Sequence, residues 1–292
     1  MLLFFQYVIN GILVGGVYAL LGLGIVLIYK STKVFNFAIG EMVLLGGFFL
    51  YSFFNNLKVP LVFALPLTLL VSLLTGFFIE YLTLRPLIGQ PILTVIMATL
   101  ALSLILTGVI YSCWGSYEFA FPQKILPYKT FLFGEVFLPQ DMLSIFLISM
   151  AAFIILWLFI KFSKIGFFMR ATAESHDTAQ AIGINVGRIF SISWGITGMI
   201  AAIAGILLGD RLGLGVAYIP GMALRAFPAI LFGGLESIGG TLIGGLIVGI
   251  LESLAGGYIT PKLSEITPYI VLLLVLLFRP EGLFGLKKIE RI

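Results

Sequence analysis

The sequence predicts an all-α polytopic membrane protein, and two features of the chain lead to this fold class. Hydrophobic residues make up 60% of the 292 residues and charged residues only 10%, whereas about 25% of a soluble domain is charged. The apolar stretches are long enough for membrane helices, which need about 20 residues to cross the bilayer core. They also lack the period-two alternation of a transmembrane β-barrel. We therefore expect residues 1–292 to form a single transmembrane domain with no room for a soluble catalytic domain.

Eight apolar stretches are predicted to be transmembrane helices, because lipid cannot hydrogen-bond the backbone and a helix satisfies its own polar groups. A shorter apolar piece at 222–234 contains Arg225 and Pro228. We expect it to be a broken or re-entrant helix packed inside protein, since an arginine facing lipid would be costly. The predicted total is about eight or nine helices. The eight stretches are 4–29, 37–55, 60–82, 92–113, 140–161, 187–208, 236–258 and 264–279.

The distribution of lysine and arginine predicts the orientation, because cytoplasmic loops carry an excess of both. Basic residues follow the first and third stretches, frame the 162–186 segment and fill the C-terminal tail. Successive membrane helices cross in alternating directions. They place all four basic groups on one side of the membrane if the 222–234 segment counts as a crossing. We therefore expect the C-terminus to be cytoplasmic and the N-terminus to lie outside. The long outer connection 114–139 is large enough to touch a partner, or is simply a solvated loop or small cap.

The polar segment 162–186 is predicted to hold a short amphipathic helix on the cytoplasmic side. Residues 170–182 are good helix formers, and Gly183 is a natural C-terminal cap. Ala173, Ala181 and Ile182 can share part of one face. A helix of this kind suits docking of a soluble partner, but the residues by themselves fit an ordinary interfacial helix equally well.

Polar residues within or beside the apolar stretches are candidates for a translocation pathway. A carboxylate at membrane depth must be protonated, paired or open to water. Glu41 and Glu236 therefore suit either a pathway or the N-terminal end of a helix, while Glu80 and Glu252 are expected in packing or interfaces. Threonine hydroxyls can line a polar path or bond back to helix carbonyls. The pathway candidates are Asn36, Glu41, Thr94, Thr99 and Glu236.

Glycines spaced four residues apart predict close helix packing near the C-terminus, because small residues let helix backbones approach in lipid. These glycines are Gly240, Gly244, Gly245 and Gly249.

The sequence predicts neither catalysis nor metal binding. His176 is the single histidine and Cys113 the single cysteine, so no set of metal ligands is expected. A phosphate-binding loop ending in Gly-Lys-Ser/Thr is also missing from the sequence. The chain is therefore not expected to be an enzyme or to hold a cofactor, and if ATP drives it, another chain must bind the ATP.

Several motifs along the whole chain carry a family resemblance. The N-terminal part contains Gly16-Val17-Tyr18-Ala19-Leu20 and then Val34-Phe35-Asn36-Phe37-Ala38-Ile39-Gly40-Glu41. In the polar segment, Glu174 is followed nine residues later by Gly183, which is similar to the EAA-type docking motif. The closing motifs are Phe227-Pro228-Ala229-Ile230-Leu231-Phe232-Gly233-Gly234-Leu235-Glu236 and Arg279-Pro280-Glu281-Gly282. In order and spacing, the motifs resemble the LivH-type branched-chain amino acid permeases of ABC importers.

The resemblance implies a function: a membrane-spanning permease subunit of an ATP-binding-cassette importer. Such a subunit would move branched-chain or similar small amino acids, urea or short amides by alternating access, in the inner or plasma membrane of a prokaryote. The residues implied in coupling to the ATPase are Arg170, Ala173, Glu174, Ala179 and Gly183. An ATP-independent secondary carrier or channel for small polar solutes stays open as the alternative.

The resemblance also implies a set of partners. These are a second permease subunit (LivM-like or a second copy), two cytosolic ATPase subunits that bind the ATP, and an extracytoplasmic substrate-binding protein. The surrounding membrane lipid is a further partner, and nucleic acid is not one.

Overall fold

The residues that the structure describes are mainly α-helical, with little β-structure. The structure is a computed structural model that describes residues 2–133, 136–279 and 281–285. In these ranges the helices are α1 (Leu2–Thr32), α2 (Ile39–Tyr51), α3 (Leu61–Ile79), α4 (Ile92–Trp114), α5 (Gln140–Phe162), α6 (Lys164–Glu174), α7 (His176–Ala181), α8 (Val186–Leu212), α9 (Ile219–Leu224), α10 (Ala226–Gly233), α11 (Ile238–Tyr258) and α12 (Pro261–Phe278). The strands β1 (Thr130–Phe133) and β2 (Val136–Pro139) form a hairpin.

Seven helices within the described ranges are long and apolar enough to cross a membrane. They coincide with seven of the eight predicted stretches, which confirms the all-α polytopic fold class. The remaining stretch, 37–55, contains α2, which has 13 α-helical residues and continues as a π-helical turn at Ser52–Asn56. Eleven residues of α2 are buried, so protein rather than lipid surrounds this short helix.

The predicted broken helix is confirmed between residues 219 and 233. Helix α9 ends at Leu224, Arg225 forms a turn, and α10 begins at Ala226. Pro228 lies in the first turn of α10, where its missing N–H group removes no helical hydrogen bond. Gly234 then ends α10 with a φ of 103°, a conformation that glycine adopts without steric cost.

One compact unit combines most of α1, the hairpin, the first part of α5 and helices α10–α12. In this unit α10, α11 and α12 pack against one another. The hairpin is joined to α1 by the Gln6 side chain, which donates to the Phe137 carbonyl (2.7 Å) and accepts from the Phe137 N–H (2.8 Å).

The second compact unit combines the end of α1, helices α2–α4, the end of α5 and helices α6–α9. Helix α8 packs along both α2 and α3. Small residues make these contacts possible: a Cβ atom at Gly205 would overlap the Val43 carbonyl, and one at Gly76 would overlap the Trp194 carbonyl. Glycine in α8 and α3 therefore sets how closely these three helices approach.

Candidate functional site

The predicted coupling segment folds as two short helices, α6 and α7, and not as the single helix predicted over 170–182. The break is at Ser175, whose backbone is extended (φ −157°, ψ 121°). The Ser175 hydroxyl accepts a hydrogen bond from the Thr178 N–H at 3.2 Å and so caps α7. A serine at the N-cap competes with continuation of the preceding helix, and Asp177 in the first turn of α7 favours a helix start there.

Gly183 ends α7 as predicted. Its φ is +87°, in the left-handed region that favours glycine at helix ends. Its N–H donates to the Gln180 carbonyl at 2.9 Å, and the Ile184 N–H donates to the Ala179 carbonyl at 2.9 Å. The turn after α7 thus depends on both the conformation and the N–H of Gly183.

Side chains join α6 and α7 to the ends of three long helices. Arg170 donates a hydrogen bond to the Ile160 carbonyl near the end of α5. His176 places its Nε2 atom 3.1 Å from the Ser31 carbonyl at the end of α1, and its ring meets Phe190 of α8 edge-to-face at 5.3 Å. A displacement of α6 and α7 would therefore act directly on α1, α5 and α8.

The five residues implied in ATPase coupling differ in exposure. Glu174 and Gly183 are exposed, Arg170 and Ala173 are half-buried, and Ala179 is a buried residue of α7. Four large apolar side chains of the 162–186 segment are also exposed, namely Phe162, Phe167, Phe168 and Ile182. We call four exposed residues of the predicted coupling segment, Phe167, Glu174, Ile182 and Gly183, the coupling surface.

Three of the five pathway candidates lie together in the second unit. Asn36 accepts from the Ala38 N–H at 3.0 Å at the entry to α2, and the buried Thr99 hydroxyl donates to the neighbouring Phe35 carbonyl at 3.1 Å. Glu41 is in the first turn of α2 and interacts with the Ser103 hydroxyl, one turn after Thr99 in α4. Its Oε2 atom is buried without a hydrogen-bond partner.

The other two pathway candidates lie elsewhere. Thr94 is exposed in the first turn of α4, and Glu236 is half-buried in the turn between α10 and α11, in the first unit. The structure thus groups Asn36, Glu41 and Thr99 and leaves the two others outside that group. The Thr99 hydroxyl also contacts the Ile96 carbonyl of its own helix at 2.9 Å. Thr99 therefore bonds back to its helix and also contacts another segment of the group.

The first unit contains a buried charge cluster that the sequence does not predict. Arg225, at the break between α9 and α10, is 3.1 Å from Glu252 of α11 and 3.7 Å from Glu265 of α12. The Tyr18 hydroxyl of α1 donates to the second oxygen of Glu252 at 2.7 Å. The pairing had a signal in the sequence, because an arginine and a glutamate at membrane depth are each costly unless they pair.

The four glycines predicted to pack helices lie on two faces of α11. A Cβ atom at Gly245 or Gly249 would overlap the backbone of α1 at Gly15 and Gly11. A Cβ atom at Gly240 or Gly244 would overlap the backbone of α10. Helix α11 is therefore in backbone contact with both neighbours.

Replacing Gly249 with alanine should destabilise the protein by about 1–3 kcal/mol, because overpacking of a close contact has that cost. The added methyl group meets the backbone of Gly11 and Gly15, which cannot rotate away. The matched control is Gly108→Ala in α4, where nothing lies within 4 Å of the new Cβ atom. Thermal unfolding in detergent should show a lower midpoint for the first variant only, and equal midpoints would contradict the packing assignment.

The described residues contain no group of three or more His, Cys, Asp or Glu side chains that could hold a metal ion.

Comparisons with known proteins agree with this architecture. Residues 7–276 match the family described as "Branched-chain amino acid transport system / permease component". BraD of Pseudomonas aeruginosa, a high-affinity branched-chain amino acid transport system permease protein, is 30% identical over 99% of this chain and 98% of its own length. LivH of Escherichia coli K12, with the same description, is 30% identical over 100% of this chain and 98% of its own.

A further relative shows the same full-length match. The probable branched-chain amino acid transport permease protein LivH of Methanocaldococcus jannaschii is 32% identical over 97% of this chain and 94% of its own length. The names of these relatives describe transport permeases and not enzymes. Because the family match and the relatives each span nearly the whole chain, this multi-pass membrane protein belongs to the family of branched-chain amino acid transport system permease components.

Proposed function

We propose that this permease is the membrane-spanning subunit of an ATP-binding-cassette importer for branched-chain or similar small amino acids. The observation that carries the proposal is the coupling segment. It exposes Glu174, Gly183 and several apolar side chains, and Arg170 and His176 connect it to three long helices. An exposed apolar surface of this kind suits a docked partner. The names of the relatives support the class of solute.

The proposed mechanism is alternating access, driven from the coupling surface. Two cytosolic ATPase subunits bind the ATP, so the chain itself needs no cofactor. Their closure displaces α6 and α7, and the contacts to Ser31, Ile160 and Phe190 transmit that movement to α1, α5 and α8. For ATP to favour one orientation of the pathway, the ATPase subunits must bind ATP more tightly when the permease has that orientation. A second permease subunit, LivM-like or a second copy, completes the pathway.

The orientation that fits this proposal has α6 and α7 in the cytoplasm of a prokaryote, with the protein in the inner or plasma membrane. The N-terminus and the β1–β2 hairpin are then outside, where an extracytoplasmic substrate-binding protein delivers the solute. The whole chain acts as one permease domain, which is supported by the contribution of both α1 and α5 to each compact unit.

Uptake of labelled leucine into proteoliposomes tests the proposed function. The vesicles would contain this chain, its partner permease and the ATPases, with ATP inside and the binding protein outside. We expect leucine uptake that requires ATP. Leucine uptake that is equal without ATP would favour a secondary carrier or channel, and uptake of labelled urea alone would contradict the proposed solute class.

A further inference from the structure

A cavity of about 230 Å³ lies in the second unit, near the ends of several helices. One water molecule occupies about 30 Å³ in the liquid. The cavity volume is several times larger, so the cavity has room for a small solute. The described side chains that matter for its chemistry are Lys33, Glu80, Ile92, Val95, His176 and Trp194. None of them belongs to the predicted pathway or to the coupling surface.

Glu80 supplies a buried negative charge to this cavity. The residue is fully buried, and its Oε2 atom accepts a hydrogen bond from Ser191 and lies 3.6 Å from the Arg85 guanidinium. Its other oxygen, Oε1, is buried and has no hydrogen-bond partner. Glu80 also begins a π-helical turn, Glu80–Leu84, a local distortion that is frequent at functional sites. A buried carboxylate oxygen without a hydrogen-bond partner is suited to accept a hydrogen bond from a cationic group on a ligand.

Trp194 supplies a donor to the same cavity. It is fully buried in α8, and its Nε1–H group has no hydrogen-bond partner. A buried indole normally finds an acceptor, since leaving the group unpaired is unfavourable. Two residues that line this cavity thus each carry an unpaired polar atom, one a donor and one an acceptor. A single ligand with both kinds of group would satisfy them together.

Lys33 brings a positive charge at a strained position just after α1. Its φ is +57°, which is uncommon for a residue other than glycine, and its N–H donates to the Tyr29 carbonyl at 2.7 Å. Glycine would occupy this helix end without strain. Backbone strain of this kind clusters at functional sites. Lys33 lines the cavity, and its ammonium group lies 5.7 Å from the centroid of the Tyr29 ring.

We infer that this cavity binds a zwitterionic α-amino acid with an aliphatic side chain. The ligand's ammonium group donates to Glu80 Oε1, and its carboxylate accepts from Trp194 Nε1–H and pairs with the Lys33 ammonium. Ile92 and Val95 supply the apolar wall for the side chain. The inference rests on the proposed function, because it assigns a binding site to the class of solute that the permease is proposed to move.

Calorimetric titration of the purified full chain with leucine and two analogues tests the ligand chemistry. Leucinamide lacks the carboxylate and isocaproate lacks the ammonium group. We expect saturable leucine binding, with each analogue at least about tenfold weaker, because a buried charge would lose its partner. Analogues that bind as tightly as leucine, or an absence of leucine binding up to its solubility limit, would overturn the inference.

Tryptophan fluorescence locates the bound ligand. The chain has three tryptophans, so a Trp114→Phe/Trp157→Phe variant retains Trp194 alone. Leucine should change the Trp194 emission with the same Kd that calorimetry gives. Leucine binding that leaves this emission unchanged would place the ligand elsewhere and overturn the assignment.

Two variants separate binding from folding. Lys33→Gly removes the ammonium group and relieves the strained φ, so we expect an equal or higher unfolding midpoint but leucine binding at least about tenfold weaker. Glu80→Gln should weaken leucine binding to a similar extent. The control is Glu118→Gln, an exposed carboxyl on the outer connection, which should not change binding. Unchanged leucine affinity in folded Lys33→Gly and Glu80→Gln proteins would overturn the inference.

These titrations need neither ATP nor partner subunits. If ATP-dependent leucine uptake occurs but this cavity binds no leucine, the inference fails alone. If the cavity binds leucine but no ATP-dependent uptake occurs, the proposed function fails alone.

Discussion

Replacing Gly183 with proline is expected to abolish ATP-driven uptake and leave the membrane helices inserted. Proline fixes φ near about −65°, whereas Gly183 has a φ of +87°. The substitution also removes the N–H group that donates to the Gln180 carbonyl. The turn between α7 and α8 must therefore adopt another conformation. We expect this change to displace the coupling surface relative to α1, α5 and α8.

The matched control is Gly183→Asn, because asparagine tolerates the left-handed conformation better than other residues and keeps the N–H group. Nothing lies within 4 Å of a Cβ atom at this position, so the asparagine side chain has space. ATP hydrolysis and leucine uptake would be measured in vesicles that contain equal amounts of each variant. Full uptake by the proline variant would show that α6 and α7 are not the route of coupling.

Replacing Arg225 with methionine is expected to destabilise the protein by about 3–5 kcal/mol, the cost of leaving one partner of a buried ion pair uncompensated. Glu252 would keep the Tyr18 hydrogen bond but lose the guanidinium at 3.1 Å. Because Glu252 is 8% exposed and lies in a helix apolar enough to cross a membrane, water cannot replace the lost partner. Thermal unfolding in detergent would measure the change.

A comparison of three variants tests whether pairing, and not arginine itself, provides the stability. Arg225→Met/Glu252→Met removes both charges and should recover much of the loss, since apolar replacement of a whole buried pair is often neutral. Glu265→Gln removes the carboxylate that is 70% exposed and should cost less than about 1 kcal/mol. A double variant no more stable than Arg225→Met would contradict the pairing model.

Much of the fold could be predicted from the sequence, because the positions of membrane helices depend on the length and apolarity of local segments. The broken helix at Arg225 and the cap at Gly183 were also predictable, since a buried charge and a helix-ending glycine are local signals. The break at Ser175 was harder to predict. The residues on both sides of Ser175 are good helix formers, which favours one continuous helix. The break depends on the hydrogen bond from the Thr178 N–H to the Ser175 hydroxyl, which forms only when the backbone at Ser175 is extended.

The functional residues were less predictable than the helices. Polarity marks Asn36, Glu41 and Thr99 as pathway candidates, and the structure brings them together through α2 and α4. Polarity also marks Thr94, which is exposed, and Glu236, which lies in the other unit. Polarity at membrane depth shows that a residue needs a partner, but it does not show which partner the fold supplies.

The sequence by itself determined the class of protein, the helical segments and the family, because composition, apolar length and motif order are properties of the chain alone. The tertiary structure decided which polar groups meet: Tyr18 with Glu252, 234 residues apart, and Glu80 with Ser191, 111 residues apart. Such pairs depend on the rotation and spacing of packed helices. Backbone contacts at residues such as Gly205 and Gly249 set that rotation and spacing, and they exist only after the helices have packed.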